Sequence, residues 1–228
     1  MYFDYTYLIF VVPMLILSTV AQAMVQSSYN KYSRVKNARG ITGAEAAKML
    51  LYSKGVYDVN IERCSGTLSD HYDPKANVIR LSDGVYSSDS VAAVGIACHE
   101  AGHALQYAQK YAPVKLRMAL VPVCNFSSKL AVPLILIGII LSFAQLAYIG
   151  IIAFAVSTFF QLVTLPVEFN ASRRAITIIG QENILYDSEK KGAKKVLSAA
   201  AMTYVAALAV SLANLLRFIL LVGGRRRD

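Results

Sequence analysis

A long run of apolar residues without any charge, residues 130–167, constrains the fold of this chain more than any other feature. The run is about twice as long as one membrane-crossing helix, which needs about 20 apolar residues. Because lipid offers no partners for backbone polar groups, the run predicts two helices joined by a turn, which we place near residues 145–150. The turn contains no cation, so it is expected outside, with both helix ends at the cytoplasmic surface.

Two further apolar blocks, residues 5–24 and 196–222, bring the predicted number of membrane helices to about four. The first block ends in Ala21-Gln22-Ala23, which has the small residues of a signal-peptide cleavage site, but Asp4 rather than a cation precedes the block. The cations follow it instead: Lys31, Arg34, Lys36 and Arg39. This asymmetry favours an uncleaved anchor whose N-terminus lies outside.

The C-terminal block gives a conflicting signal about its orientation. It is interrupted by Arg217 and followed by Arg225-Arg226-Arg227. Four crossings that begin outside would also end outside, whereas three arginines favour the cytoplasm. Either the basic tail is tolerated outside, or the last block lies partly within the protein rather than crossing.

The composition excludes an ordinary soluble domain and disfavours nucleic-acid binding. Hydrophobic residues make up 56% of the chain and the mean hydropathy is +0.46, which is too apolar for an average soluble domain. Lys and Arg number 23 against 14 Asp and Glu, but these cations flank the apolar blocks and no nucleic-acid-binding motif accompanies them. The three cysteines have no C-x-x-C spacing and are expected to be reduced packing residues: Cys64, Cys98 and Cys124.

The motif His-Glu-x-x-His at residues 99–103 predicts a catalytic zinc site. Residues four apart lie on one face of a helix, so His99 and His103 can point at one ion, with Glu100 beside it to take a proton from water. One of Ser88, Asp89 or Ser90 is expected to cap this helix at its start. The helix continues through the polar residues Gln106, Gln109 and Lys110, which argue against a membrane span.

Gly102 lies inside this motif and lowers the helix propensity there. It therefore indicates close approach of another backbone or of the metal site.

Catalytic zinc usually has three protein ligands and one position for water, so a third ligand is required. Glu168, which follows the long apolar run, is the first candidate by ligand type. His71 and Asp187 remain alternatives.

The segment before the motif predicts a small α+β portion. Thr42 and Glu45 have capping-box spacing and open a short helix that continues to about Ser53. Residues 57–62 and 78–82 alternate apolar and polar side chains around a turn-rich segment, which predicts a hairpin beside the zinc-binding helix. We expect the strand at residues 78–82 to bind extended substrate by backbone pairing.

Several segments together resemble the YugP-type bacterial membrane zinc metallopeptidases, and the resemblance covers essentially the whole chain. The segments are His-Glu-Ala-Gly-His at 99–103, Asp70-His71-Tyr72-Asp73-Pro74, Pro166-Val167-Glu168-Phe169 with Ala171-Ser172-Arg173-Arg174, and Ala200-Ala201-Met202-Thr203-Tyr204-Val205-Ala206-Ala207. More distantly, residues 168–171 resemble the E-F/Y-x-A-D pattern of HtpX-like and CAAX prenyl-protein metallopeptidases. In that pattern the Glu is the third zinc ligand and the Asp supports a histidine. This chain has Ser172 in place of the Asp, so the support must differ.

The resemblance implies a zinc-dependent protease of the bacterial plasma membrane, multi-pass, with its catalytic site on the cytoplasmic side. The lipid bilayer and a polypeptide substrate, membrane-associated or misfolded, are the expected partners, and no nucleic acid is expected. The absence of a P-loop sets aside AAA-type membrane proteases. The polar surroundings of the motif do not suit an intramembrane site-two protease.

The predicted mechanism is peptide hydrolysis with Zn2+ held by His99, His103 and Glu168, and with Glu100 as general base. Tyr204 and His71 are both candidates for the donor that stabilises the oxyanion. Two other functions stay open: a non-catalytic, zinc-containing membrane scaffold or chaperone-like protein, and an enzyme that hydrolyses a non-peptide amide.

The predicted fold class is a mainly α membrane protein, with about four transmembrane helices and a small cytoplasmic, zincin-like α+β portion. We expect five segments along the chain: an N-terminal anchor (1–25), a metallopeptidase portion (26–129), a transmembrane hairpin (130–167), a third-ligand and basic segment (168–195) and a C-terminal apolar helix (196–222).

Overall fold

The structure is a computed structural model that describes residues 5–224. Asp4 and the three terminal arginines, on which the topology predictions partly depend, lie outside the described residues. A π-helical turn, Tyr7–Val11, leads into α1 (Val12–Tyr32). The other elements are α2 (Gly43–Ser53), β1 (Asn60–Cys64), β2 (His71–Asp73), β3 (Val78–Ser82), α3 (Asp83–Tyr86), α4 (Val91–Ala108), α5 (Ala112–Ile140), α6 (Ala144–Gln181) and α7 (Asp187–Gly224).

Four of the described helices are long and apolar enough to cross a membrane. They are Tyr7–Tyr32, Ala112–Ile140, Ala144–Gln181 and Asp187–Gly224. Together with the small sheet they confirm the predicted fold class, a mainly α membrane protein with a small α+β part. The zinc-motif helix α4 is not among the four, as its polar end predicted.

The turn of the membrane hairpin lies earlier than residues 145–150, so that prediction is wrong. Helix α5 ends at Ile140 and α6 begins at Ala144, with Ser142 in the left-handed region at φ 53°. Gly150 lies inside α6, where a Cβ would be 2.7 Å from the backbone nitrogen of Ile135 on α5. This glycine therefore allows close packing of two helices and does not form a turn.

The described chain divides into two compact units. The first, which we call the apolar unit, comprises the described residues up to Ala21, Lys115–Pro166, and those from Met202 onwards. Its buried cluster contains Ile135, Ala147, Ile151, Phe218 and Val222. Many large apolar side chains remain exposed, including Ile140 at 78% and Ile152 at 66%, as expected of surfaces that face lipid.

The second unit, the site unit, comprises Gln22–Val114 and Val167–Ala201. Its core is built around α4, whose apolar side chains are almost fully buried against α2, β3 and the adjoining parts of α6 and α7. The capping box at the start of α2 is present: the Thr42 hydroxyl accepts from the Glu45 backbone, and the Glu45 carboxylate accepts from the Thr42 backbone. This prediction is confirmed.

The sheet of the site unit has the order β1-β3-β2. β1 pairs with β3 in parallel, with Ile61 opposite Ile79, and β2 pairs with β3 antiparallel, with Tyr72 opposite Ile79. The predicted hairpin is therefore wrong, because the turn-rich connection itself contains a strand that reverses the chain before β3 begins. β3 is the central strand, paired on both sides, so the prediction that residues 78–82 pair with a substrate is also wrong.

Candidate metal centre

Helix α4 presents both motif histidines on one side. Ser90 caps the helix, because its hydroxyl accepts from the backbone N–H of Ala93 at 3.2 Å, as one of the three sequence alternatives predicted. The rings of His99 and His103, one helical turn apart, lie edge to face with centroids 4.7 Å apart.

The third member of the cluster comes from α6. The carboxylate of Glu168, 3% exposed, places Oε2 3.4 Å from Nε2 of His99 and 3.5 Å from Nε2 of His103. Ligand atoms of the three side chains all lie within 4.8 Å of one another. Among the described residues, this is a group that could hold a metal ion.

The close contact of α4 with α6 positions Glu168. A Cβ on Gly102 would lie only 2.7 Å from the carbonyl oxygen of Ala171, so the two backbones meet where Gly102 has no side chain. The predicted close approach at Gly102 is confirmed. Ala171 lies three residues after Glu168, so this contact is within one helical turn of the carboxylate.

The distances from the carboxylate to the two histidines fit a tetrahedral zinc ion. Bonds of about 2.0–2.2 Å with tetrahedral angles separate neighbouring ligand atoms by about 3.3–3.6 Å. The two Nε2 to Oε2 distances, 3.4 and 3.5 Å, fall within this range. Two imidazoles and a carboxylate are also a ligand set typical of catalytic zinc.

The other ring nitrogen of each histidine has a partner on the side away from Glu168. Nδ1 of His99 lies 3.0 Å from the hydroxyl of Ser172, the residue that replaces the Asp of the HtpX-like pattern. Nδ1 of His103 lies 3.0 Å from Oε1 of Gln106. These contacts leave both Nε2 atoms facing Glu168, where a metal would bind.

Sequence reasoning missed the role of Gln106. Its position three residues after His103, on the same helical face, was the available signal. From the sequence alone, Gln106 counts only as one of the polar residues that argue against a membrane span.

Glu100 is buried beside the cluster, with 8% of its surface exposed. Its Oε2 accepts a hydrogen bond of 3.0 Å from the backbone N–H of Tyr72 on β2. Burial raises the pKa of this carboxyl group; the two motif histidines oppose the shift, and Glu168 adds to it. A raised pKa brings a carboxylate towards the range in which it accepts and releases protons near neutrality.

Two of the other predicted site residues, His71 and Asp187, are not members of this cluster, and the third belongs to the other unit. His71 is exposed on β2, and its Nδ1 contacts the carbonyl of Ser69 at 2.8 Å. Asp187, with 88% of its side chain exposed, pairs with Lys190 at the start of α7. Neither joins the His99, His103 and Glu168 group. Tyr204 lies on α7 in the apolar unit and is 39% exposed.

Comparison with known proteins identifies the family. A family described as "Putative neutral zinc metallopeptidase" matches residues 7–223, almost the whole chain. The chain belongs to this family. A curated relative in Bacillus subtilis, named "Putative membrane protease YugP", is 50% identical over 205 residues, which cover 90% of this chain and 91% of the relative. No solved structure matches the chain.

Family membership confirms the resemblance seen in the sequence and the prediction of zinc as the metal. It also agrees with the four apolar helices in indicating a membrane protein of the peptidase class.

Proposed function

We propose that this protein is an integral membrane zinc endopeptidase in which His99, His103 and Glu168 hold the metal. The observation that supports the proposal most is the convergence of these three side chains at zinc-ligand spacing, from two helices, next to a buried glutamate. A purely structural zinc site is usually closed by four protein ligands and needs no general base. A three-ligand set beside Glu100 therefore favours an enzyme over the scaffold alternative.

When bound, zinc would lower the pKa of water towards neutrality and polarise the scissile carbonyl. The Glu100 carboxylate would accept a proton from the attacking water as the water oxygen joins the carbonyl carbon. As the carbon–nitrogen bond breaks, Glu100 would return that proton to the leaving amine. The Tyr72 N–H holds one carboxylate oxygen of Glu100, so the other oxygen is the one available for the proton.

The negative charge that develops on the carbonyl oxygen requires a hydrogen-bond donor from the chain. Tyr204 and His71 are the two side chains that we propose for this role. Both are exposed in part, so an incoming substrate could reach them.

We place the catalytic site at the cytoplasmic face of the bacterial plasma membrane. Support comes from the cations that follow the first apolar helix and from Lys115 and Arg117 near the start of α5, since cytoplasmic flanks are rich in Lys and Arg. A protease site inserted at the exposed turn around Gly66, tested from each side of the membrane, would reveal the orientation. Cleavage from the outer side alone would contradict this placement.

The test of the function compares wild type with Glu168→Ala and Glu100→Gln, all purified in detergent, for zinc content and casein cleavage. Wild type should contain one zinc and cleave. Glu168→Ala should lose both zinc and cleavage, because it removes a ligand. Glu100→Gln should keep zinc while turnover falls about 10²–10⁴-fold, the usual contribution of a general base.

Two results would contradict the proposal in different ways. Full zinc retention in Glu168→Ala would move the third ligand to another residue. A wild type without zinc and without cleavage would favour the scaffold function.

A further inference from the structure

The tautomer of each motif histidine decides whether that histidine can bind a metal through Nε2. A neutral imidazole carries its proton on one ring nitrogen and a lone pair on the other. A histidine that binds a metal through Nε2 carries its proton on Nδ1, so an acceptor at Nδ1 favours the metal-binding tautomer.

The contact at Nδ1 of His103 is made by a fully buried carboxamide. Gln106 is 0% exposed, and its Oε1 lies 3.0 Å from Nδ1 of His103. Its Nε2 donates to the backbone carbonyl of Val167 at 2.8 Å and to Oδ1 of Asn170 at 3.0 Å, both on α6. The amide of Gln106 thus bridges the two helices that carry the metal-binding group.

The orientation of this amide follows from groups whose polarity cannot change. The carbonyl of Val167 can only accept, so the Gln106 atom facing it must be the NH2 group. Arg174 can only donate, and its Nε donates to Oδ1 of Asn170 at 2.7 Å, so Asn170 also presents an acceptor to Gln106. The two constraints agree, and both direct Oε1 of Gln106 towards His103.

We propose that Gln106 is a positioning residue that fixes the proton of His103 on Nδ1, so that its Nε2 lone pair faces Glu168. The inference rests on the proposed function in that zinc is the ion this lone pair receives. Nε2 of His103 and Oε2 of Glu168, 3.5 Å apart, are then two electron-pair donors that face each other, an arrangement that a cation between them stabilises.

The second histidine is held differently. The hydroxyl of Ser172 can donate or accept, so it adapts to either tautomer of His99 and imposes neither. The two motif histidines are therefore unequal: the tautomer of His103 is set by the protein, whereas that of His99 is set by the metal. Ser172→Ala is accordingly a matched control, since it changes the support of His99 alone.

The test uses the full-length protein in detergent, labelled with nitrogen-15 in histidine only. The chain has three histidines, so the spectrum contains three rings, and exposed His71 is an internal reference. Long-range proton–nitrogen spectra of the metal-free protein, recorded at rising pH until the histidine signals no longer change, report the tautomer of each neutral ring. Zinc affinity is measured separately by competition with a chromophoric chelator.

Gln106→Met keeps an unbranched, helix-compatible side chain but removes both polar functions. We expect His103 to become a mixture of tautomers, and the zinc affinity to fall about 10–100-fold, as is typical when the partner of a ligand is lost. Gln106→Glu should restore the Nδ1–H tautomer, because a carboxyl group offers an acceptor oxygen to His103 whether it is ionised or protonated. A role in packing alone would not distinguish these two variants in this way.

Wild-type His103 signals in Gln106→Met would overturn the inference, as would an Nε2–H tautomer in Gln106→Glu. Altered His103 signals in Ser172→Ala would also contradict it. A wild type that binds no zinc would refute the proposed function instead, and the spectra of the metal-free protein would still decide the role of Gln106.

Discussion

The contact between Gly102 and Ala171 gives a sharp prediction about the metal site. In Gly102→Ala, the new Cβ would lie 2.7 Å from the carbonyl oxygen of Ala171 and 3.2 Å from its carbonyl carbon. Both are backbone atoms of a helix and cannot rotate away, so α4 and α6 must separate by about 0.7 Å to restore ordinary contact distances. Zinc ligands are held to within about 0.2 Å, so this separation should weaken zinc binding at least tenfold.

The fold itself should survive this substitution. Overpacking typically costs about 1–3 kcal/mol, whereas replacing Gly by Ala inside a helix contributes up to about 1 kcal/mol in the opposite direction. The expected net loss of about 0–2 kcal/mol is less than the stability of a typical domain, about 5–15 kcal/mol. Gly102→Ala should therefore be a folded protein with a damaged metal site.

The assay compares zinc affinity and thermal stability of wild type, Gly102→Ala and a matched variant, Gly95→Ala. Gly95 lies on the same helix, but its added Cβ would meet the side chain of Ala193 on α7 at 3.2 Å, where a shift of a few tenths of an ångström suffices. We expect Gly95→Ala to bind zinc as wild type does. Wild-type zinc affinity in Gly102→Ala would show that the contact with Ala171 does not set the position of Glu168.

Two other substitutions test single contacts. Ser172→Ala removes the hydroxyl that lies 3.0 Å from Nδ1 of His99, and it should lower the zinc affinity about tenfold. The affinity is measured by competition with a chelator. A wild-type affinity would show that this hydroxyl does not support His99 as a ligand. Tyr204→Phe, which removes only a hydroxyl group, should lower turnover of a casein substrate at constant zinc content if that hydroxyl stabilises the oxyanion. Wild-type turnover would exclude Tyr204 from that role.

Local signals in the sequence predicted local structure correctly. Thr42 and Glu45 are close in sequence and satisfy each other's backbone groups, so the start of α2 could be predicted without knowledge of the fold. Ser90 was one of three neighbouring capping candidates, and the four long helices followed from apolar length alone. Each of these features depends on residues within one segment.

The errors concern arrangements between segments. The turn was predicted near residues 145–150 from the length of the apolar run alone, and that length does not show where the chain reverses. Gly150 instead lies where α6 meets α5. The order of the three strands was missed for a similar reason. Alternation predicts a strand but not its partner, and the short strand β2 lies within residues that look like a turn.

The candidate site combines both kinds of information. The spacing of His99 and His103 follows from helical periodicity and could be predicted directly. Glu168 belongs to another helix, so its nearness depends on how α4 and α6 pack, and the sequence supported it only by ligand type and family resemblance. The role of Ser172 could not be predicted, because it depends on which side chain a ring nitrogen meets after packing. Gln106 is different, because its spacing of three residues from His103 is a signal within one helix.

The uncharged support of the histidines and the burial of Glu100 are physically linked. A carboxylate in place of Ser172 would make His99 a stronger ligand and would draw positive charge away from the ion. Ser172 supports His99 with a hydroxyl and Gln106 supports His103 with an amide, so neither histidine has a charged partner. Glu168 is then the one carboxylate of the His-His-Glu group. A bound zinc ion would therefore keep more of its positive charge than it would with carboxylate partners behind the histidines. Glu100 needs that charge, because burial disfavours its ionised form.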